Sequence, residues 1–329
     1  MMWYLARRLA GLAGVLLATC LITFAIFFVF PSNPAQQVCG KKCTPQLIAT
    51  IDKQWGLDQP LPVQFGEYVA GIVAGRTYGQ GASQEQCPVP CLGFSQQNNL
   101  PVTTLIAQRL PVSASIAAGA AVLWLVLGVA TGMLTALRRD TWVDKSVMTV
   151  VLAGIAAPNF LVAIILLYLF SAKWNLLPYP SYTSIASDPV AWAGGLIMPW
   201  IALALYYMAV YARYTRSSMI EAMSQDFITT ARAKGLREWS VVGKHGMRAG
   251  VTPVLTIYGM DVAALLGGSI LIEQVFGMQG LGTLYLQSIN AIDIPTVMGI
   301  TLLAAFFVIF ANLVVDLLYA VVDPKVRLR

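Results

Sequence analysis

Long apolar segments dominate the chain and alternate with polar stretches. Each is about 20 residues or longer, the length that an α-helix needs to cross the hydrocarbon core of a bilayer. The pattern therefore predicts an all-α polytopic membrane protein with six transmembrane helices. The six segments are Leu9–Phe30, Val112–Leu137, Val147–Ala172, Trp192–Tyr211, Thr252–Ile272 and Thr296–Val321.

The first apolar segment resembles a secretory signal, but its length and its flank argue against cleavage. It is longer than the apolar region of a typical signal peptide, and the following Pro31-Ser32-Asn33-Pro34 offers no small-x-small cleavage site. We therefore expect a retained helix. The chain then divides into residues 1–30 with helix 1, an extracytoplasmic loop region at 31–108, and a core at 109–329 with helices 2–6.

Composition supports lipid as the solvent. Hydrophobic residues make up 57% of the 329 positions and charged residues only 11%, against about 25% charged in a typical soluble domain. The net charge of +6 could suggest nucleic acid. The basic residues lie between apolar segments, however, which fits membrane topology better and predicts no nucleic-acid partner.

The distribution of Lys and Arg predicts the orientation. Fifteen of the 21 fall before helix 1, in the even-numbered connections or at the C-terminus, and six fall on the other side. The positive-inside rule then places both termini in the cytoplasm and the protein in the cytoplasmic membrane. The fifteen are Arg7, Arg8, Arg138, Arg139, Lys145, Arg213, Arg216, Arg232, Lys234, Arg237, Lys244, Arg248, Lys325, Arg327 and Arg329; the six are Lys41, Lys42, Lys53, Arg76, Arg109 and Lys173.

Four of the five cysteines lie in the predicted outside loop: Cys39, Cys43, Cys87 and Cys91. An oxidising compartment favours two disulfides there, although three connectivities are possible. A site with four thiolate ligands for a metal ion is the alternative. The disulfide interpretation is preferred because of the compartment, and no metal site is predicted.

The predicted cytoplasmic loop 213–250 is long and basic, and its sequence favours helices. Phe227, Ile228 and Ala231 are spaced to share one helical face. Gly235 predicts a turn. The positions of Leu236, Trp239 and Val242 then predict a second helix with its own apolar stripe. The two helices either dock into a partner's groove or lie on lipid headgroups.

Ionisable and polar residues inside predicted helices are candidate functional groups. Asp261 lies near the middle of predicted helix 5 and could meet a substrate's amino group, could be tied by a hydrogen bond to a neighbouring helix, or could be kept neutral by desolvation. Pro158 predicts a kink, which places Asn159 at a possible cavity. Glu273 follows predicted helix 5 at the expected outer mouth, where it is either a gate or binding-protein contact, or a solvated loop carboxylate.

Catalytic motifs are absent from the sequence. There is no G-x-x-x-x-G-K-[ST] phosphate loop, and the single histidine, His245, lies in the basic loop. We therefore predict a chain that is not an enzyme and that carries no cofactor of its own.

Several short motifs resemble, in order, those of ATP-binding-cassette (ABC) importer permeases of the dipeptide/oligopeptide branch. The stretch Thr229-Thr230-Ala231-Arg232-Ala233-Lys234-Gly235 is similar to the cytoplasmic loop of that family, although the two threonines replace its usual Glu-Ala. The other motifs are Tyr4–Leu9, Gly56–Pro60, Arg109–Pro111, Ala157–Phe160, Glu273–Phe276, Gly280–Gly282 and Asn312 with Asp316, Tyr319, Asp323-Pro324 and Arg327. The cysteine-containing loop, residues 38–94, departs from the family pattern.

The resemblance implies a type I ABC importer permease fold and a set of partners. A second homologous permease would complete the path, two ATP-binding subunits would carry ATP and Mg²⁺, and an extracytoplasmic solute-binding protein would deliver the solute. The coupling contact to the ATP-binding subunit would comprise Thr230, Ala231, Arg232, Ala233, Lys234, Gly235 and Leu236.

The same resemblance implies di- or oligopeptides as the cargo, with nickel chelates, haem or oligosaccharides as alternatives. An ion-coupled secondary transporter is a rival class, but it predicts paired intramembrane acids and broken helices in matching halves. An intramembrane enzyme is a second rival that lacks a catalytic constellation.

Overall fold

The computed structural model of the chain describes residues 2–26, 44–46, 48–49, 58–78, 85–95 and 97–322. Side-chain surroundings are described within residues 10–315. The backbone forms helices of very unequal length and four short strands. The helices are α1 (Met2–Phe24), α2 (Leu61–Ala74), α3 (Val102–Leu137), α4 (Trp142–Ala156), α5 (Asn159–Leu166), α6 (Pro189–Met223), α7 (Asp226–Ala233), α8 (Glu238–Ser240), α9 (Met247–Leu266), α10 (Ile270–Val275), α11 (Leu281–Asn290) and α12 (Ile294–Val322).

Two stretches of π-helical backbone extend these helices. Leu167–Lys173 continues α5, and Val241–Gly246 joins α8 to α9, so that Glu238–Leu266 runs as one apolar helix. The strands are β1 (Arg76–Tyr78), β2 (Glu85–Cys87), β3 (Phe94–Ser95) and β4 (Leu100–Pro101).

The described residues contain four helices that are long and apolar enough to cross a membrane, or five if the bent pair formed by Trp142–Ala156 and Asn159–Lys173 counts as one span. The apolar part of α1, Ala10–Phe24, is shorter than a full span. The polytopic helical architecture is therefore confirmed, while the count of six spans stays a prediction.

The predicted kink at Pro158 is present. Here the chain turns by 98° between α4 and α5, because proline lacks an N–H and its ring disfavours helical backbone in the preceding residue. Ala157 and Pro158 accordingly have extended backbone, with ψ of 126° and 128°.

Several helix ends differ from the predicted spans. Helix α6 continues past Tyr211 to Met223, because hydropathy marks where a lipid-facing segment stops and not where helical backbone stops. Predicted helix 5 is instead split, since α9 ends at Leu266 and α10 begins at Ile270. Gly268 causes the break: its φ is +110°, and a Cβ there would lie 2.4 Å from the backbone nitrogen of Gly282.

The contacts divide the chain into two compact units. The first comprises Met1–Ser113, Leu266–Ile270 and Gln279–Arg329. Within its described part, Val102, Leu105 and Ile106 at the start of α3 pack on Leu281, Leu284 and Ile300. A second cluster places Phe24 of α1 against Ile294 and Met298 of α12, with Phe65 and Tyr68 of α2 beside it.

The loop region in this first unit has more regular structure than an all-α fold predicts. β1 pairs antiparallel with β2, and β3 pairs antiparallel with β4. Ser95 in β3 donates a hydrogen bond to the buried Asp293, which fixes this strand to the approach of α12. The loop region therefore adds two short strand pairs to the mostly helical fold, which local composition does not reveal.

The second unit comprises Ala114–Leu265 and Leu271–Met278. Its core lies where α4 packs on α6, through Val151 against Ala209 and Ala212. Helix α3 also approaches α6 closely at Gly132, where a Cβ would be 2.5 Å from the carbonyl oxygen of Ala212. Small residues thus bring these helix backbones together, as is common in membrane proteins.

Candidate functional site

The predicted helix–turn–helix after α6 is present and forms an elbow, Asp226–Ser240. Helix α7 ends in a Schellman motif: the Gly235 N–H donates to the carbonyl oxygen of Arg232 at 2.9 Å, and the Leu236 N–H donates to that of Ala231 at 3.3 Å. Gly235 has a φ of +76°, which glycine adopts without strain. The turn therefore depends on this glycine.

An ion pair spans the same turn. The guanidinium of Arg232 donates from Nη2 to Glu238 Oε1 at 2.6 Å and from Nε to Oε2 at 3.1 Å. The Glu238 carboxylate raises the pKa of Arg232, so the guanidinium stays charged. Both side chains are largely exposed, so the pair orients α7 relative to α8 more than it stabilises the fold.

The elbow has one buried face and one open face. Ile228 and Ala231 of α7 are buried against Val241, with Met223 of α6 beside them. The remaining predicted coupling residues, Thr230, Arg232, Ala233, Lys234, Gly235 and Leu236, are exposed. The structure thus joins the seven predicted residues in one projecting turn.

Three apolar side chains of the elbow depart from the predicted stripes. Phe227 is 45% exposed, Leu236 43% and Trp239 77%, whereas Val242 is buried. Apolar periodicity identified the helices correctly, but each predicted stripe is divided between buried and exposed side chains. Exposed large apolar residues in one short segment are typical of an interaction site.

The helical segment after the elbow lies against two methionines of α6. A Cβ at Gly246 would lie 2.6 Å from the sulfur of Met223, and a Cβ at Gly250 would lie 2.6 Å from the sulfur of Met219. The helical segment that follows the elbow therefore packs directly on the end of α6.

Sequence reasoning missed a largely buried ion pair near the same end of α6. Arg216 of α6 donates from Nε and Nη2 to the two carboxylate oxygens of Asp144, both at 2.7 Å. Asp144 also accepts the Asp140 N–H at 3.0 Å, and Thr141 caps α4 by accepting from the Asp144 N–H. The pair connects α6 to the turn before α4, and only the Thr-x-x-Asp capping pattern hinted at a role for Asp144.

The carboxyl group of Asp261 is bonded to a neighbouring helix. The hydroxyl of Tyr211 on α6 donates to Asp261 Oδ2 at 2.7 Å. The sequence suggested that Asp261 lies near the middle of its helix. Because α9 ends at Leu266, Asp261 instead lies near the end of that helix. The hydrogen bond to a neighbouring helix, which was one of the alternatives for Asp261 in the sequence analysis, is therefore present.

Asn159 and Glu273 lie elsewhere and form no bond to Asp261, whose hydrogen bond within the described structure goes to Tyr211. Asn159 begins α5 directly after the bend and is half-buried. Glu273 lies in α10 with its side chain fully buried. It is therefore not a solvated loop carboxylate, the alternative that the sequence allowed for it.

The cysteine prediction is confirmed for one pair. Cys87 and Cys91 form a disulfide, which fixes that connectivity and leaves neither sulfur free as a thiolate for metal. Cys39 and Cys43 lie outside the described residues. Among the described residues, no group of three or more His, Cys, Asp or Glu side chains is arranged to hold a metal ion.

Known proteins resemble the chain over its whole length. Residues 128–328, which include the elbow, match the family model for the binding-protein-dependent transport system inner membrane component, and residues 1–117 match the model for the N-terminal part of such membrane components.

Individual relatives align from end to end. The chain is 36% identical over 321 residues to a protein of Brucella abortus (strain 2308) whose name describes a peptide transport system permease, with 98% of each chain covered. It is 32% identical over 324 residues to a protein of Sinorhizobium fredii (strain NBRC 101917 / NGR234) named as a peptide ABC transporter permease, covering 98% of this chain and 99% of the relative. It is 35% identical over 330 residues to the glutathione transport system permease protein of Salmonella choleraesuis (strain SC-B67), with 100% of each chain covered.

Proposed function

The chain belongs to the family of binding-protein-dependent transport system inner membrane components, and on that premise we propose that it is the peptide-carrying permease subunit of an ABC importer. Family membership rests on matches that cover both ends of the chain. The peptide cargo is supported by relatives named for peptide or glutathione transport, since glutathione is itself a small peptide-like solute.

The observation that carries the proposal is the elbow inside the matched region. Its Schellman turn projects exposed apolar and basic side chains while its other face is packed on α6. A short amphipathic helix presented in this way fits a groove on a partner protein. We propose that an ATP-binding subunit supplies this groove and contacts Thr230–Leu236.

The contacts behind the elbow support a route for coupling. Movement of α7 would pass through Ile228 and Met223 to the end of α6, and the Arg216–Asp144 pair would carry it to α4. Such coupling requires that the nucleotide-bound and nucleotide-free partners favour different positions of the elbow. Helix α4 in turn leads to the bend at Pro158.

The partners follow from the same proposal. A second, homologous permease would complete the membrane path, two ATP-binding subunits would bind ATP and Mg²⁺, and a solute-binding protein would deliver peptides from outside. The elbow and both termini would then face the cytoplasm, in agreement with the positive-inside distribution of basic residues. The membrane would be the cytoplasmic membrane.

Among the candidate path residues, Asp261 and Asn159 fit the proposal best. Both are half-buried, so a solute could reach them, and Asn159 stands beside the bend. Glu273 is fully buried. We propose that it has a structural role in the packing of α10 and does not contact the solute.

Copurification followed by uptake tests the proposal. The chain, affinity-tagged and solubilised in mild detergent, should bring a second permease and two ATP-binding subunits with it. Reconstituted in vesicles with its binding protein, this complex should accumulate a labelled dipeptide only when ATP is present on the elbow side.

Two outcomes would contradict the proposal. Uptake that persists without ATP and collapses with an ionophore would favour the ion-coupled transporter. ATP-dependent uptake of a nickel chelate, haem or an oligosaccharide, with no uptake of peptides, would keep the importer class and overturn the cargo. Identifying what the purified binding protein retains separates these last alternatives.

A further inference from the structure

Asp261 lies beside a cluster of aromatic rings that the coupling route does not use. Trp124 of α3 stacks on Tyr207 of α6, with ring centroids 4.5 Å apart. Tyr258 of α9 contacts Trp124 edge-on at 5.9 Å and Tyr211 at 6.4 Å. Tyr258 and Asp261 are three residues apart on one helix, so they share a face.

Within the described residues, Asp261 forms a hydrogen bond but no ion pair. One of its oxygens accepts the Tyr211 hydroxyl at 2.7 Å, and a phenol is a neutral donor. Among the described residues no Lys, Arg or His forms an ion pair with it. Carboxylates within membrane-spanning segments are normally paired, or mark the path of a charged solute.

The surrounding rings, together with a carboxyl group, suit a cationic group. The π-face of tyrosine or tryptophan attracts an ammonium group within about 6 Å. Tyr207, Tyr258 and Asp261 are only partly buried, so each keeps surface that a solute could contact. A metal ion is a poorer fit, because one carboxylate and neutral phenols are a weak ligand set.

We propose that Asp261, Tyr207 and Tyr258 form a binding site for the protonated N-terminal amine of a peptide in transit. The inference rests on the proposed peptide cargo, since an unblocked peptide carries this amine whatever its sequence. The ammonium would donate to the second oxygen of Asp261 and lie against the two phenol rings. Tyr211 would hold the carboxylate in position.

Asp261→Asn tests the charge separately from the fold. The Asn carbonyl oxygen can still accept from Tyr211, so the helix contact is kept while the negative charge is lost. In vesicles with the full importer, we expect the KM for one labelled dipeptide to rise on the order of tenfold. Asp188→Asn is the matched control, because Asp188 caps α6 through Val190 N and Ala191 N and Asn caps equally well; its KM should not change.

Tyr211→Phe separates the proposed binding site from a purely structural contact. It removes the hydrogen bond and leaves the charge. If Asp261 only ties α9 to α6, Tyr211→Phe should lower the melting temperature, Asp261→Asn should change it little, and neither should change KM, which would overturn the proposal. If the site binds ammonium, Asp261→Asn should raise KM more than Tyr211→Phe does.

A direct binding test uses two small probes and omits the solute-binding protein, which selects peptides by itself. Alaninamide is largely a cation at about pH 7 or below, and N-acetylalaninamide is its neutral counterpart. We expect alaninamide alone to raise the melting temperature of the purified importer, and Asp261→Asn to abolish the shift. Equal shifts from both probes, or none from alaninamide, would contradict the binding site.

Failure of this inference is distinguishable from failure of the proposed function. If the wild-type importer takes up the dipeptide with ATP but Asp261→Asn has an unchanged KM, the binding site is wrong and the peptide cargo stands. If the wild-type importer takes up no peptide at all, the proposed cargo is wrong.

Discussion

Two arginine–carboxylate pairs at the same end of α6 have the same chemistry and opposite surroundings. In the elbow, Arg232 and Glu238 are 46% and 60% exposed, whereas Arg216 and Asp144 are 26% and 4% exposed. Both pairs are bidentate. An exposed pair contributes little to stability, while a buried charge that loses its partner is costly. The comparison suggests that the exposed pair orients the elbow for contact with a partner, and that the buried pair stabilises the packing of α6 on α4.

The largest expected effect is on the buried pair. Asp144→Ala leaves the Arg216 guanidinium without its partner and removes the acceptor for the Asp140 N–H, so we expect a loss of about 3 kcal/mol. The loss should appear as a lower melting temperature of the purified protein in detergent.

The neighbouring exposed pair supplies the control for that experiment. Asp140→Asn alters the Arg139–Asp140 pair, whose side chains are 59% and 80% exposed, and Asn tolerates the positive φ of 64° at this position. Its melting temperature should match the wild type. If Asp144→Ala were equally harmless, the contrast between the two arginine pairs would not hold.

A large effect of a different kind is expected at Gly235. Proline cannot adopt a φ of +76°, so Gly235→Pro should destroy the Schellman turn while leaving the spanning helices folded. We expect ATP-driven uptake to fall on the order of tenfold or more relative to ATP hydrolysis, measured on the same reconstituted vesicles.

Gly243→Ala is the matched glycine variant. Gly243 has no atom within 4 Å of an added Cβ and its φ is not in the left-handed region, so uptake per ATP should stay normal. Normal uptake per ATP in Gly235→Pro, with normal membrane insertion, would remove the elbow from the coupling route.

A smaller effect is expected when the exposed pair is broken. Arg232→Ala should leave the melting temperature unchanged, because both partners are hydrated. Uptake should weaken moderately, and added salt should reduce the difference from the wild type, since salt already screens exposed charges. A clear loss of thermal stability would show that the exposed pair also holds the fold.

The smallest effect is expected at the disulfide, which is far from the elbow in the sequence. Replacing Cys87 and Cys91 together by Ala should loosen the segment around β2 and leave uptake per ATP unchanged. Limited proteolysis should detect the loosening. A fall in uptake per ATP would show that the loop region influences the elbow. The proposed coupling route, which uses only contacts within the second unit, does not predict such an influence.

Local patterns explain which of these features could be predicted. The elbow followed from a glycine between two amphipathic stretches, and the bend followed from Pro158, because both depend on backbone chemistry within a few residues. The Arg216–Asp144 and Tyr211–Asp261 contacts join residues 72 and 50 positions apart. Such pairings depend on which helices become neighbours, and a single sequence does not specify that.

Exposure was harder to predict than helicity. Phe227, Leu236 and Trp239 are exposed, whereas Ile228, Ala231 and Val242 of the same predicted stripes are buried. Apolar periodicity does not distinguish a core face from a docking face. Glu273 shows the reverse error, since a charged residue after an apolar segment suggests solvent, and its side chain is fully buried.

The most direct measurement of the central claim, that the elbow contacts an ATP-binding subunit in the cytoplasm, is labelling of Trp239→Cys with a membrane-impermeant maleimide. Trp239 is 77% exposed, so the new thiol should be reachable. We predict labelling in inside-out vesicles, none in sealed right-side-out vesicles, and protection when ATP-binding subunits are bound. Labelling from the outside, or labelling that bound ATP-binding subunits leave unchanged, would contradict the account.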